Sequence, residues 1–405
     1  MIYETYQSHT DLLHPFASLA ESVPEVFRNA RGGLGGWPPL RRFAAACEVF
    51  ALARLRHRRP AFGISSVEAG GRRVRVSEER ACGTPFATLL HFRKEIRVAQ
   101  PRVLLVAPMS GHFATLLRET VRTMLQDHDV YVTDWHNARD VPAAAGRFGC
   151  DEYVEHVIGF LAAIGPGAHL VAICQPCVES LAAVALMSED AHPATPRSLT
   201  LMAGPIDCRI TPTRVNELAT RHSIQWFESN LIATVPARLP GNDRRVYPGF
   251  LQLAAFLNMN LERHITSFRE LYDNLVKGDI EKANAVRAFY EEYFAVADLP
   301  AEFFLETVRL VFQEHALALG KLTFRDRVVN PRAIRRTALL TIEGERDDIC
   351  SLGQTLAVHD LCGGLRQYLK THYVQAGAGH YGVFSGKRWA NHIYPVVRDV
   401  IHVSD

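Results

Sequence analysis

The chain has 405 residues, 48% of them hydrophobic and 22% charged, with a net charge of +2. That is the composition of a globular protein with a large core, and the near-neutral balance gives no reason to expect nucleic acid as a partner. The opening "MIYETYQSHTDLLHPFASLA" has no positive start and no unbroken apolar core, so no secretory signal is expected, and no window reaches the ~18 apolar residues of a membrane span.

Residues 1–70 read as a helical extension. Leu12, Leu13, Phe16, Leu19, Val23 and Phe27 recur near helical spacing, with Pro15 and Pro24 as interruptions. From 71 to 209 strand and helix alternate, forming the first part of a core. "RRVRVSEE" and "FATLLHFRKE" suit a β-hairpin, and "RVLLVAP" is a continuous apolar run, the mark of a strand buried on both faces. A helical segment ("HFATLLRETVRTMLQD"), a strand ("DVYVTDW") and a helix ("EYVEHVIGFLAAIG") follow. Next come the strand that opens "HLVAICQPCVESLAAVAL", a helix from Pro176, and the strand "SLTLMAGP". The rhythm stops over 210–332, which is rich in Phe, Tyr, Leu, Asn and Arg, shows no convincing buried strand, and reads as a helical cap inserted between two sheet strands. It resumes over 333–405, the second part of the core, with "TALLTIEGE", a helix, "LRQYLKTHYV", a glycine-rich turn and a last helix from about Lys387. Alternation over this length predicts an α/β fold with a mostly parallel sheet covered by helices.

The eight cysteines show neither a small-scaffold nor a zinc-like spacing, so reduced thiols in a cytoplasm, and no metal, are expected. Cys174-Gln175-Pro176-Cys177 has the C-x-P-C form of a redox centre, but that reading wants a Trp before the pair and a compact fold of about a hundred residues; Ile173 precedes here. The flanks favour a different chemistry. A residue on a sharp strand-to-helix turn is pushed above the sheet when the positions two before and two after it let the turn close. Ala172 is small, and Pro176 suits a first helical turn, where its missing N–H leaves nothing unpaired. The helix start also favours a thiolate at Cys174.

A thiol nucleophile needs a base and an orienting acid, which in hydrolases of this architecture follow in the order nucleophile, acid, histidine. "TALLTIEGERDDIC" delivers Asp347 and Asp348 to the far end of a strand, and "YVQAGAGHYGVFSG" puts His380 on the loop after the last strand. Singly, each is ordinarily a buried thiol, a solvated carboxylate or a satisfied loop histidine. In this order, each at the C-terminal end of a strand, they point to a triad with Cys174 as nucleophile. The oxyanion donors are then the backbone N–H of Gln175 and one on "MSGHFATLL", with Met109 the better placed and Ser110 second. His112 reads as a loop or helix-cap residue beside the pocket, a candidate substrate contact.

At these residues the sequence resembles intracellular poly(3-hydroxybutyrate) depolymerases, which share a catalytic fold and cysteine with polyhydroxyalkanoate synthases. The resemblance covers nearly the whole chain through "APMSGHFATLLRETVRTMLQDHDVYVTDW", "VAICQPCVESLAAVALM", "RRVYPGFLQLAAF", "EGERDDI" and "GHYGVFSGKRW". It implies an α/β-hydrolase fold, a Cys174-Asp347-His380 triad, and a polyester held as cytoplasmic storage granules. Asp347 is preferred over Asp348 because the family's acid is the one followed by x-Ile, here Asp348-Ile349. Cys177 has no part in that mechanism, and Phe113 stands where a more polar residue is expected.

The resemblance and the residues together lead to an esterase that needs no cofactor, in which coenzyme A could take the acyl group in place of water. A synthase-like acyltransferase would use the same thiol, and a granule-coating protein would bind polymer through the apolar extension and cap. An oligomer is compatible with the sequence. Tyr247, Phe250 and Leu251, on the proline-glycine bend "RRVYPGFLQ", are the expected lining of a slot for an apolar polyester chain.

Overall fold

The apolar runs that lack any alternation become the middle of a sheet, where neither face of a strand meets water. The structure is a computed structural model that describes residues 2–29, 37–96, 98–259 and 261–405. Seven strands come first: β1 (Ser66–Ala69), β2 (Arg72–Gly83), β3 (Ala87–Lys94), β4 (Arg102–Val106), β5 (Asp129–Trp135), β6 (His169–Ile173) and β7 (Ser198–Met202). The insertion carries five short ones: β8 (Ala233–Thr234), β9 (Arg245–Tyr247), β10 (Leu299–Pro300), β11 (Thr323–Phe324) and β12 (Arg327–Val328). β13 (Ala338–Gly344) and β14 (Lys370–Gln375) complete the main sheet.

Its nine strands stand in the order β1-β2-β3-β5-β4-β6-β7-β13-β14. The three pairings from β1 to β5 are antiparallel and the five from β5 to β14 are parallel. Beyond the edge strand β1, the order is first, second, fourth, third, then fifth to eighth, which is the α/β-hydrolase fold. Residues of β6, β7 and β13 are buried throughout, while β2 keeps the alternating pattern of a strand with one wet face.

The extension forms α1 (Ile2–Asn29) and α2 (Pro38–Leu52), which pack on each other. The interruption expected at Pro15 and Pro24 is absent from the backbone: each proline removes one N–H from the ladder, and the remaining bonds carry one helix across both. The side chains of Leu13, Pro15, Pro24 and Phe27 lie outside the described residues. Tyr3 is buried, its hydroxyl donates to the Asp298 carboxylate, and Tyr6 stacks on Phe250 at 3.8 Å, so α1 is fastened to the insertion.

The core helices are α3 (Arg118–Met124), α4 (Cys150–Ile164) and α5 (Cys177–Glu189). The helix expected over 112–127 is shorter because the loop before it is pulled onto the insertion, where Ala297 N–H donates to the Gly111 carbonyl at 2.9 Å. The insertion contains α6 (Arg214–Arg221), α7 (Ile224–Leu231), α8 (Gly249–Met259), α9 (Leu261–Lys277), α10 (Ile280–Tyr293) and α11 (Ala301–Glu306). Contrary to expectation it also has buried strand: β10-β9-β8 form a small sheet whose Val246, Tyr247 and Leu299 are buried. Strands of two or three residues are too short to show a period, which is why the pattern missed them. Among the described residues no helix is long and apolar enough to cross a membrane.

Candidate active site

Cys174 follows the last residue of β6 and adopts φ +66°, a left-handed conformation that a side chain tolerates poorly. Such strain persists only where surrounding bonds over-determine it. Here Cys174 N–H donates to the Met202 carbonyl at 2.8 Å and Cys177 N–H to the Cys174 carbonyl at 3.2 Å, so the turn is tied to β7 in front and to α5 behind. Pro176 caps α5, as its fixed φ suits. Close packing behind the turn comes from a glycine outside the motif. A Cβ at Gly204 would lie 2.2 Å from Cys177 Cβ and 2.3 Å from its Sγ. Cys177 is fully buried with its thiol directed at the Ala172 carbonyl, 3.4 Å away, and burial raises its pKa well above the ordinary thiol range. It is packing, and half-buried Cys174 is the thiol on the turn.

The acid and the histidine meet at the same end of the sheet. Asp347, three residues past β13, is buried; its Oδ1 accepts from the N–H groups of Ile349 (2.9 Å) and Cys350 (2.8 Å), and its Oδ2 is 2.8 Å from His380 Nδ1. Asp348 is exposed. Asp347 is hydrogen-bonded to the imidazole. The loops holding Asp347 and His380 touch at Gly344, where a Cβ would sit 2.7 Å from the Ala378 carbonyl oxygen. With Nδ1 engaged by Asp347, Nε2 is the nitrogen of His380 left free, and Cys174 is close enough to act electrostatically on the ring. Burial alone would lower the His380 pKa; the Asp347 carboxylate and Cys174 together overcome it and hold the pKa well above the ordinary imidazole value.

The expected oxyanion loop is held rigidly. Ala107 N–H donates to Thr133 Oγ1 at 2.9 Å, and the Ala107 carbonyl accepts from Trp135 Nε1 (2.8 Å) and the Tyr153 hydroxyl (3.0 Å). The Ser110 carbonyl accepts from Gln252 Nε2. Met109 N–H points at the nucleophile turn, where it donates to Gln175 Oε1 at 3.2 Å. Glu179 accepts from Gln175 Nε2 at 3.0 Å; it is buried, and burial pushes its pKa up to about 8.

The remaining residues singled out from sequence go elsewhere. His112 is buried against Phe256 and Tyr293, its Nε2 lies 3.2 Å from the Tyr293 carbonyl, and burial lowers its pKa to about 4. It joins the loop to α10. Tyr247 is buried in a stack on Phe304, with ring centroids 3.9 Å apart, and Leu251 packs against the core. Phe250 is committed to Tyr3 and Tyr6 of α1. The bend does turn these side chains inward, where Tyr247 and Phe250 are engaged in ring packing. The sequence reading missed Tyr381 and Tyr293, whose rings meet beside His380 between its loop and the end of α10. It also missed Thr355, whose hydroxyl bonds both N–H (2.8 Å) and C=O (3.0 Å) of Gly204 and joins the acid loop to the turn. Glu179 had a signal, a lone acid in the apolar run "VESLAAVALM".

Comparison with known proteins finds one family model and a set of solved structures. A family model described as "PHB de-polymerase C-terminus" matches residues 203–405, a span that contains Asp347 and His380 and begins after Cys174. No curated protein matches the chain. Solved structures with a similar chain path include a lipase (lip1) from Acinetobacter baumannii AYE, described as putative, at 12% identity over 81% of this chain and 93% of that one, with a TM-score of 0.47. The 2-hydroxy-6-oxo-6-phenylhexa-2,4-dienoate hydrolase of Rhodococcus sp. RHA1 matches at 14% identity over 81% and 99%, with a TM-score of 0.44.

Proposed function

The chain belongs to the PHB depolymerase family, and from that premise we propose that it hydrolyses ester bonds of poly(3-hydroxybutyrate) storage polymer in the cytoplasm, with Cys174 as nucleophile. The observation that carries this reading is the left-handed Cys174 on its strand-to-helix turn, together with an imidazole whose Nδ1 is held at 2.8 Å by a buried carboxylate.

His380 Nε2 takes the Cys174 proton, and Sγ attacks the carbonyl carbon of a 3-hydroxybutyrate ester. The oxyanion forms between the N–H groups of Gln175 and Met109. Collapse expels the neighbouring unit as an alkoxide, which takes the proton from His380 Nε2 and leaves a thioester on Cys174. His380 then removes a proton from water; the hydroxide attacks the thioester, and Cys174 leaves as a thiolate that His380 reprotonates. Asp347 keeps the imidazole in one tautomer throughout and stabilises its cation. Its two backbone donors keep its second oxygen occupied.

The test is incubation of the purified protein with native amorphous granules, with products resolved by chromatography. Release of 3-hydroxybutyrate monomers and oligomers, abolished in Cys174→Ala, is expected. Consumption of 3-hydroxybutyryl-CoA with polymer growth, or granule loss that survives Cys174→Ala, would overturn the proposal.

A further inference from the structure

One side chain already stands at the expected oxyanion site. Gln175 Oε1, a carbonyl oxygen, accepts the Met109 N–H at 3.2 Å, the same N–H that a substrate ester carbonyl would need. At its other end Nε2 donates to Glu179 Oε2 at 3.0 Å, one turn further along α5. Gln175 is half-buried, whereas Glu179 is only 2% exposed. We propose that the Gln175 side chain is a displaceable stand-in for the substrate carbonyl, latched by Glu179, and that its expulsion selects long polyester chains over single esters.

An amide oxygen is a better hydrogen-bond acceptor than an ester oxygen. An isolated ester that replaces Gln175 on Met109 therefore gains nothing from the exchange, and the Glu179 contact is lost as well. A chain that binds through several units has contacts remote from the reacting carbonyl, and these can offset the expulsion. Burial pushes the Glu179 pKa up to about 8 and so favours its neutral carboxyl, which lessens the cost of opening the latch. The inference rests on the function proposed above.

The test compares p-nitrophenyl butyrate with a soluble linear tetramer of 3-hydroxybutyrate, measuring kcat and KM for each. Gln175→Ala removes the stand-in while keeping the backbone N–H, Gln175→Asn shortens it by one methylene, and Glu179→Leu removes the latch together with the Cys150 thiol contact at 3.8 Å. Each variant is expected to lower KM for the single ester by about 2- to 12-fold, the factor equivalent to one net hydrogen bond. KM for the tetramer should change less, so the preference for the tetramer falls. If Gln175 merely braced the loop, kcat would drop equally on both substrates; that result, or an unchanged preference in the variants that fold, overturns the proposal. Cys174→Ala run alongside separates the two readings. Hydrolysis surviving in it refutes the catalytic assignment, whereas its loss together with an unchanged preference in the Gln175 variants refutes only the stand-in.

Discussion

Gly204→Ala tests whether close packing behind the turn keeps the nucleophile in place. The new methyl would fall 2.2 Å from Cys177 Cβ and 3.2 Å from the Cys174 carbonyl oxygen. Restoring the roughly 3.5 Å of a relaxed carbon contact requires a movement of about 1.3 Å between β7 and the start of α5. Overpacking of this kind costs about 1–3 kcal/mol of stability. A displacement near 1 Å at the nucleophile is equivalent to about a 10²-fold loss in rate. Cys177→Gly removes both atoms the methyl would strike, so Gly204→Ala/Cys177→Gly should recover much of what Gly204→Ala loses. The assay is a double-mutant cycle in denaturant stability and in kcat/KM on a soluble ester, with a coupling of about 1–3 kcal/mol expected. Additive effects, or a Gly204→Ala protein with normal stability and rate, would refute the account of the turn.

Asp347→Asn should lower kcat by about 10⁴-fold, the loss seen when a triad acid becomes an amide, and Asp348→Asn should stay near the parent; steady-state kinetics of both variants checks this. Iodoacetamide should label Cys174 ahead of Cys177 in the active protein, and Cys177→Ser should retain most activity, as peptide mapping and an ester assay would show. His112 stays neutral when folded down to about pH 4, but its unfolded counterpart takes up a proton below about 6.5. Between those values the unfolded state binds more protons, so stability falls as pH drops, by up to about 3 kcal/mol from this group. Urea midpoints at pH 7.5 and 5 should show a shallower pH dependence in His112→Gln. Phe250→Ala should loosen α1 at a cost of about 2 kcal/mol, detected as faster proteolysis within residues 2–29. It should affect granules and soluble esters alike, because the ring packs on Tyr3 and Tyr6.

The sequence by itself determined the sheet and the chemical candidates. Short β-branched runs such as "RVLLVA" and "HLVAI" suit strands buried on both faces, because both sets of alternating side chains are apolar. The order of Cys174, Asp347 or Asp348, and His380 follows from where those strands end. The tertiary structure decided everything that depends on direction. Asp347 rather than its neighbour faces the imidazole because two N–H groups of the following turn hold its carboxylate. Phe250 was legible as a slot-lining ring and His112 as a loop or helix-cap residue near the pocket, and contacts with α1 and α10, far away in sequence, hold them. The glycine behind the nucleophile lies on β7's exit loop instead of in the motif, and the Gln175–Glu179 pair shows its purpose only once Met109 is beside it. Periodicity records which side of an element avoids water, whereas the partner on that side is chosen by long-range packing and hydrogen bonding, which no local pattern encodes.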